Sequence, residues 1–172
     1  MKYKIPPKCW ITPKAEVKEA NIHGKGLFAK EPILEGEKVV IWGGSNYTDK
    51  NGAIEQEKNG KLVMQWDEDL FSFEDRGEDD TYFINHSCDS DLWMTDAFTL
   101  VARKNIEVGQ EITADYVLWE GSEDYVSQWE CNCGKSYCRK KITGKDYLTK
   151  DLQKKYSGHF SPLINKKIAI KK

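Results

Sequence analysis

Residues 97–114, AFTLVARKNIEVGQEITA, contain two short runs of strand-forming residues separated by a turn. The first run is residues 97–102 and the second is residues 111–114, and both include the β-branched or aromatic side chains that strands favour. Between them, Glu107-Val108-Gly109-Gln110 carries the glycine that is typical of a turn. This stretch therefore predicts two successive short strands.

The same pattern recurs nearer the N-terminus. Residues 39–42, VVIW, end at Gly43-Gly44, and residues 61–66, KLVMQW, form a further candidate strand. Residues 54–59 are polar and are compatible with a surface helix or a loop. Residues 1–20 are basic, contain three prolines and predict an extended segment with little helix. Many short strands separated by glycine turns predict a mainly β fold in a single domain.

Length and composition exclude several classes of protein. A chain of 172 residues suits one domain, and its six Trp, eight Tyr and six Phe argue against disorder. A net charge of −2 excludes a simple cationic nucleic-acid coat protein. No apolar run approaches the roughly 20 residues that cross a bilayer, and the N-terminus lacks the apolar segment of a secretory signal. We expect a soluble intracellular protein, cytoplasmic in a prokaryote and nuclear or chromosomal in a eukaryote.

Charge is distributed unevenly along the chain. Residues 67–80 contain eight acidic residues and one arginine, a net charge of −7, whereas residues 141–172 contain nine lysines and two aspartates, a net charge of +7. Each stretch is compatible with a solvated face. Alternatively, the acidic stretch attracts a basic peptide, and the basic stretch folds back on it or contacts nucleic acid.

The cysteines favour a metal site over disulfides. The five cysteines are Cys9, Cys88, Cys131, Cys133 and Cys138, an odd number with three inside eight residues. A secreted disulfide framework normally has an even number spread through a short chain. The Cys-x-Cys-x4-Cys spacing offers three thiolates to one ion, and a structural zinc takes four ligands. Cys88 is the expected fourth ligand, with Cys9 as the alternative.

Four strings together carry a family resemblance. They are residues 22–29 (IHGKGLFA), 83–88 (FINHSC), 111–116 (EITADY) and 131–138 (CNCGKSYC). In this order they resemble the SET-domain protein-lysine methyltransferases that have a zinc-binding post-SET segment. The resemblance implies a β-clip fold with a C-terminal pseudoknot, in which the FINHSC string and the C-terminal segment thread past each other. The implied divisions are a lead-in at 1–14, a SET domain at 15–120, a post-SET zinc segment at 127–143 and a basic C-terminal tail at 144–172.

The resemblance also implies a reaction and its partners. S-adenosylmethionine would donate methyl groups to a lysine side chain of a protein or peptide, either histone-like or another basic protein. Neither a membrane nor a nucleic acid is favoured as a partner. One alternative is a catalytically weak SET fold that acts as a peptide-binding module. A second alternative is a zinc-stabilised nucleic-acid-binding domain that uses the basic tail.

Site residues follow from the positions that match the family. The implied cofactor-binding residues are His23, Gly24, Lys25, Gly26, Asn85, His86 and Asn132. The implied zinc ligands are Cys88, Cys131, Cys133 and Cys138. Tyr116 matches the tyrosine whose hydroxyl lies where the methyl group, sulfur and amine meet, so we expect it to orient the reactants and to stabilise charge electrostatically.

The residues expected to line the substrate channel include two departures from the family pattern. These residues are Trp42, Ala114 and Trp119, and Trp129 is expected either to wall the channel or to cover the cofactor. Trp42 stands where many relatives have tyrosine, and its indole donates a hydrogen bond but accepts none. Ala114 stands where relatives have Phe or Tyr, a position that influences how many methyl groups are added. We therefore expect methylation to proceed beyond one methyl group.

Overall fold

The computed structural model describes residues 3–44, 46–75, 77 and 79–171. Within these residues the strands are β1 (Trp10–Ile11), β2 (Ala15–Glu19), β3 (Lys25–Ala29), β4 (Lys38–Ile41), β5 (Tyr47–Thr48), β6 (Leu62–Asp67), β7 (Leu70–Glu74), β8 (Leu92–Met94), β9 (Thr99–Ala102) and β10 (Glu111–Ile112). The α-helices are α1 (Lys50–Lys58), α2 (Lys150–Lys155) and α3 (Pro162–Ile170). Single 3-10 turns span Asp80–Tyr82, Tyr116–Leu118 and Asp146–Leu148. No helix in the described part of the chain is both long and apolar enough to cross a membrane.

The strands form three small antiparallel sheets. Their strand orders are β1-β4-β9-β8, β10-β3-β2 and β5-β7-β6. The mainly β prediction is therefore confirmed, and the four predicted strands correspond to β4, β6, β9 and β10. The last of these is shorter than predicted: β10 ends at Ile112, and Ala114 pairs instead with His86 in an isolated parallel bridge.

That bridge brings two of the motif strings side by side. The Ala114 N–H donates to the Asn85 carbonyl at 3.0 Å, and the Ser87 N–H donates to the Ala114 carbonyl at 3.0 Å. The buried Asp91 carboxylate accepts hydrogen bonds from both the backbone N–H and the hydroxyl of Thr113, at 2.9 and 2.7 Å. These bonds hold residues 85–91 beside residues 113–114. The string 83–88 and the string 111–116 are therefore fixed relative to each other.

Aromatic side chains fill one end of the core. Trp42 at the end of β4 lies 5.2 Å from Trp66 on β6, and Trp66 lies 5.2 Å from Phe98, all measured between ring centroids. All three rings are buried, and each large side chain removed from water contributes about 1.5–3 kcal/mol to folding. This packing joins the β5-β7-β6 sheet to the β1-β4-β9-β8 sheet.

Two stretches that the sequence left open are ordered in the structure. The polar segment 54–59 belongs to α1, where the Asp49 side chain caps the helix by accepting a hydrogen bond from the Gly52 N–H at 2.8 Å. The acidic stretch contains β7, which pairs with β5 and β6. Arg76 and Glu78 of that stretch lie outside the described residues.

The lysine-rich C-terminal segment, described over residues 144–171, packs against the rest of the protein. Its buried apolar side chains are Tyr147, Tyr156, Phe160, Leu163 and Ile164. The segment also reaches the acidic stretch, because the Lys166 ammonium lies 2.8 Å from the Glu68 carboxylate. This ion pair is largely exposed and contributes little, so the apolar side chains hold the segment in place. The expectation that basic residues fold back on the acidic stretch is met at this pair.

Candidate active site

The four cysteines expected to bind zinc lie together. The Sγ atoms of Cys88, Cys131, Cys133 and Cys138 are all within 4.8 Å of one another, and those of Cys88 and Cys131 are 3.9 Å apart. Four sulfurs arranged tetrahedrally at 2.3 Å from zinc are about 3.8 Å apart. The donor atoms and their spacing therefore fit a structural zinc site. Cys9 lies elsewhere, with its Sγ 3.5 Å from the Gly43 carbonyl.

His86 connects this cluster to Tyr116. The Tyr116 backbone N–H donates to His86 Nδ1 at 3.3 Å, so we assign the ring proton to Nε2, which lies 3.5 Å from Cys88 Sγ. Burial, reinforced by the positive charge of Arg139, lowers the pKa of His86 to about 3. The imidazole is therefore neutral at physiological pH. It accepts a hydrogen bond from the Tyr116 N–H and donates its own N–H towards the Cys88 sulfur.

A cavity of about 270 Å³ adjoins His86. Its lining residues are Ile22, His23, Asn85, His86, Tyr116, Trp129, Glu130, Cys131 and Asn132. The rings of His86, Tyr116 and Trp129 pack together with centroid distances of 5.2–6.0 Å. A concave site with aromatic walls and a few polar groups is typical of small-molecule binding.

Asn85 holds the glycine-containing turn before β3 against this cavity. Its side-chain amide nitrogen lies 3.1 Å from the carbonyl oxygens of His23 and Lys25 and 2.7 Å from Glu111 Oε1. Gly24 has a φ of +48°, a left-handed conformation that glycine adopts readily. The turn therefore requires both a glycine at its bend and the Asn85 amide beside it.

Gly26 is required for packing within the protein. A Cβ added there would lie 2.4 Å from Glu111 Oε1, 2.9 Å from Ala20 Cβ and 3.0 Å from Asn85 Nδ2. Of the seven predicted cofactor-binding residues, His23, Asn85, His86 and Asn132 line the cavity. The other three, Gly24, Lys25 and Gly26, follow His23 along the chain and are not among the lining residues that the structure describes.

Tyr116 is held by two hydrogen bonds of its own and by the cap of the turn that it begins. Its hydroxyl donates to the Ile84 carbonyl at 2.8 Å. Its N–H donates to His86, and the 3-10 turn that it begins is capped by the Asp115 side chain, which accepts from the Val117 N–H at 3.2 Å. Burial raises the pKa of Tyr116 above its ordinary value, so the side chain is a neutral phenol at physiological pH.

A family model for the SET domain matches residues 24–117, which is more than half of the chain. The chain belongs to the SET-domain family. It is 31% identical over 137 residues to human histone-lysine N-methyltransferase 2B and 29% identical over 133 residues to the trithorax histone-lysine N-methyltransferase of Drosophila virilis. It is also 28% identical over 145 residues to the putative histone-lysine N-methyltransferase ASHH4 of Arabidopsis thaliana.

These matches cover most of this chain and only part of each relative. They span 72%, 70% and 74% of this chain, but 5%, 3% and 39% of the human, fly and plant proteins respectively. The chain therefore spans less than half of the length of each of these relatives.

Two of the predicted channel residues, Trp119 and Trp42, form a continuous aromatic contact with the Tyr116 ring. Trp119 lies 5.3 Å from the Tyr116 ring and 5.4 Å from the Trp42 ring. Trp42 is 2% exposed, and its indole N–H donates to the Thr81 carbonyl at 3.3 Å. Ala114 is fully buried in the same core.

Sequence reasoning missed a buried ion pair between the SET domain and the post-SET segment. Arg139, which follows the last cysteine of the cluster, places Nη2 2.5 Å from Asp115 Oδ1 and Nε 3.3 Å from Asp146 Oδ2. Asp115 is fully buried and immediately precedes Tyr116. Asp115 lies inside the string 111–116 and Arg139 directly follows the string 131–138, but their separation of 24 residues leaves no local signal that they pair. The cavity-lining residues Ile22 and Glu130 were also missed.

Proposed function

We propose that this chain is a protein-lysine N-methyltransferase that uses S-adenosylmethionine. The observation that carries the proposal is the cavity in which Asn85, His86, Tyr116 and Asn132 meet, because three separate motif strings converge there. Membership of the SET-domain family and the similarity to histone-lysine N-methyltransferases support the same reaction class.

The cavity residues suit the proposed cofactor. Trp129 and His86 offer aromatic faces for an adenine ring, while His23, Asn85 and Asn132 offer polar groups for the rest of the molecule. Gly24 leaves open space, since an added Cβ there would meet no atom within 4 Å. When bound, S-adenosylmethionine supplies an electrophilic methyl group on a positively charged sulfur.

In this proposal Tyr116 orients the reacting groups. Methyl transfer to an amine requires the nitrogen to approach along one line, and positioning of this kind accounts for up to roughly 7–11 kcal/mol of a reaction barrier. The hydrogen bonds to Ile84 and His86 fix the Tyr116 ring, and its neutral hydroxyl is a preorganised dipole. No charge has to develop on the tyrosine itself.

Aromatic surroundings also favour the neutral form of the substrate lysine. A lysine attacks only after it loses a proton, and its ordinary pKa is about 10.4. Burial beside the rings of Trp119 and Tyr116 would disfavour the ammonium and lower that pKa. The proton would leave to solvent before the amine enters the channel fully.

Zinc is proposed to act structurally, bound by the four clustered cysteines. It would tie Cys88 of the SET domain to Cys131, Cys133 and Cys138 of the post-SET segment. Since Cys131 and Asn132 line the cavity, a fixed post-SET segment would close one side of the cofactor site.

The substrate is proposed to be a protein or peptide, with histones tested first. Purified protein is incubated with tritiated S-adenosylmethionine and either core histones or whole-cell lysate, with Tyr116→Phe as the matched variant. Transfer by the wild-type protein that is lost in the variant supports the proposal. Cofactor binding by calorimetry without transfer to any substrate would contradict it and would favour a peptide-binding module.

A further inference from the structure

We propose that Tyr156, in the C-terminal segment beyond the zinc cluster, is a positioning residue for Tyr116 and acts through the Asp115 carboxylate. The inference rests on the proposed function, because it concerns the residue proposed to orient the reacting groups. It extends the active-site machinery to a segment that lies outside the residues matched by the SET-domain model.

The Asp115 carboxylate is the centre of this arrangement. It is 0% exposed, and one oxygen, Oδ1, accepts from Arg139 Nη2 at 2.5 Å and from the Val117 N–H at 3.2 Å. The other oxygen, Oδ2, accepts from the Tyr156 hydroxyl at 3.1 Å. A buried carboxylate requires such partners, since an unpaired charge in the protein interior is strongly unfavourable.

Asp115 transmits its orientation to Tyr116 through the backbone. Its Oδ1 caps the 3-10 turn Tyr116–Leu118, so a rotation of the carboxylate changes the start of the turn that carries the Tyr116 ring. The Tyr116 N–H on the same turn must stay within reach of His86 Nδ1, now 3.3 Å away. The direction of the Asp115 side chain is therefore coupled to where the Tyr116 hydroxyl lies.

Tyr156 is well suited to fix that direction. It is 0% exposed at the end of α2, and its hydroxyl also lies 3.2 Å from the Ser90 hydroxyl. Burial raises the pKa of Tyr156, so its hydroxyl keeps its proton and remains a donor to Asp115. Phe160 packs edge-on to the Tyr156 ring at 5.9 Å and limits its movement.

The C-terminal segment also contacts the end of this turn and the residues that follow it. The Ser161 N–H donates to the Leu118 carbonyl at 2.7 Å, at the end of the Tyr116–Leu118 turn. The Lys167 ammonium donates to the Gly121 carbonyl at 2.6 Å. Tyr156 therefore belongs to a segment that contacts Asp115 just before the turn, Leu118 at its end and Gly121 beyond it.

The test compares two tyrosines of the same segment. Tyr156→Phe removes the hydroxyl that donates to Asp115 and keeps the ring. Tyr147→Phe is the matched control, since Tyr147 is also buried and its hydroxyl makes no hydrogen bond to any described residue. Zinc content and thermal stability of both variants are measured first, to show that each is folded.

The first readout needs no turnover. The protein is labelled with 3-fluorotyrosine, and the 19F resonance of Tyr116 is assigned as the signal that Tyr116→Phe removes. We expect this resonance to shift in Tyr156→Phe and to stay in place in Tyr147→Phe. An unchanged Tyr116 resonance in folded Tyr156→Phe overturns the inference, whether or not the protein transfers methyl groups.

The second readout is kinetic. A misplacement of about 1 Å can reduce a rate roughly 100-fold, so we expect kcat to fall about 10-fold or more in Tyr156→Phe while KM and cofactor affinity stay within about 2-fold. Equal kcat values for wild type and Tyr156→Phe would also overturn the inference. A shifted resonance in a protein without any transfer would leave the coupling to Tyr116 in place and reject the proposed function alone.

Discussion

His86 Nε2 lies 3.5 Å from Cys88 Sγ, so one imidazole that lines the cavity proposed to bind the cofactor also contacts the candidate zinc cluster. The opposite ring nitrogen accepts from the Tyr116 N–H at 3.3 Å. A neutral histidine has one donor and one acceptor nitrogen, so it can make both contacts, and the lowered pKa of His86 keeps the ring neutral. The metal cluster, the cavity and the candidate catalytic residue thus share a single side chain.

Because His86 contacts both the cysteine cluster and the cavity, we predict that loss of zinc weakens binding at the proposed cofactor site. Cys133→Ser should lose zinc, lower Tm by about 4 °C or more and weaken cofactor binding, because structural zinc contributes directly to folding and about 1 kcal/mol corresponds to roughly 2–4 °C at this chain length. Metal analysis, calorimetry and a thermal melt measure the three effects.

Cys9→Ser is the matched control for the zinc prediction. Its sulfur contacts the Gly43 backbone rather than the cluster, so the variant should keep its full zinc content. Protein purified without chelator that contains no zinc would refute the assignment. So would a loss of zinc in Cys9→Ser.

The catalytic role of Tyr116 predicts a selective loss of turnover. Tyr116→Phe removes the hydroxyl that donates to Ile84 and keeps the ring that packs on His86 and Trp119. We expect kcat to fall roughly 100-fold or more, as for the loss of other preorganised polar groups, while cofactor affinity is retained. Steady-state kinetics with calorimetry separate the two quantities. Near-normal kcat would remove Tyr116 from the catalytic role.

The close approach around Gly26 predicts a coupled loss of stability and cofactor affinity. In Gly26→Ala the new methyl group would press on Glu111 and Asn85, so we expect a loss of about 1–3 kcal/mol in the free energy of unfolding and weaker cofactor binding. Gly60→Ala is the control, because Gly60 has a positive φ but open space around it. It should lose stability through backbone strain and keep its cofactor affinity. Equal cofactor affinity in both variants would contradict the role given to the Asn85 contact.

Local sequence patterns predicted the parts of this fold that are built from short apolar runs. The segments 39–42, 61–66 and 97–102 become β4, β6 and β9 because their side chains fill the core. The strand β7 was missed because Leu70 to Phe73 lie between clusters of acidic residues, which made the whole stretch resemble a solvated surface. The packing of the C-terminal segment was missed for a similar reason, since its buried apolar residues Tyr147, Tyr156 and Ile164 belong to a stretch that contains nine lysines between residues 141 and 172.

Part of the candidate site could also be predicted from local sequence patterns, and part could not. The clustered cysteines could be identified because three of them share one short stretch and the ion they suit needs a fourth ligand. The contacts of Asp115 could not, because its partners Arg139 and Tyr156 lie 24 and 41 residues away along the chain. Such pairs depend on how the C-terminal segment folds back on the SET domain. The spacing of residues along the sequence does not predict where the C-terminal segment packs on the SET domain.

Ala114 predicts the number of methyl groups transferred. The residue is fully buried with Trp42, whose indole is fixed by its bond to Thr81 and by contacts with Trp66 and Trp119. Because Trp42 is held in this way, we expect it not to fill the space that the resemblance implies for an aromatic side chain at position 114. The amine end of the channel should therefore admit di- and trimethylated lysine.

A wide channel should also be a slow one, since misplacing the amine by about 1 Å can reduce the rate roughly 100-fold. Mass spectrometry of a methylated peptide over long incubations with excess cofactor measures both the product and the rate. Ala114→Tyr should shift the product towards monomethyllysine, whereas Ala114→Ser, which adds little volume, should leave the distribution unchanged. A wild-type product that stops at one methyl group would contradict the prediction, and it would indicate that Trp42 or Trp119 restricts the channel in place of the missing aromatic residue.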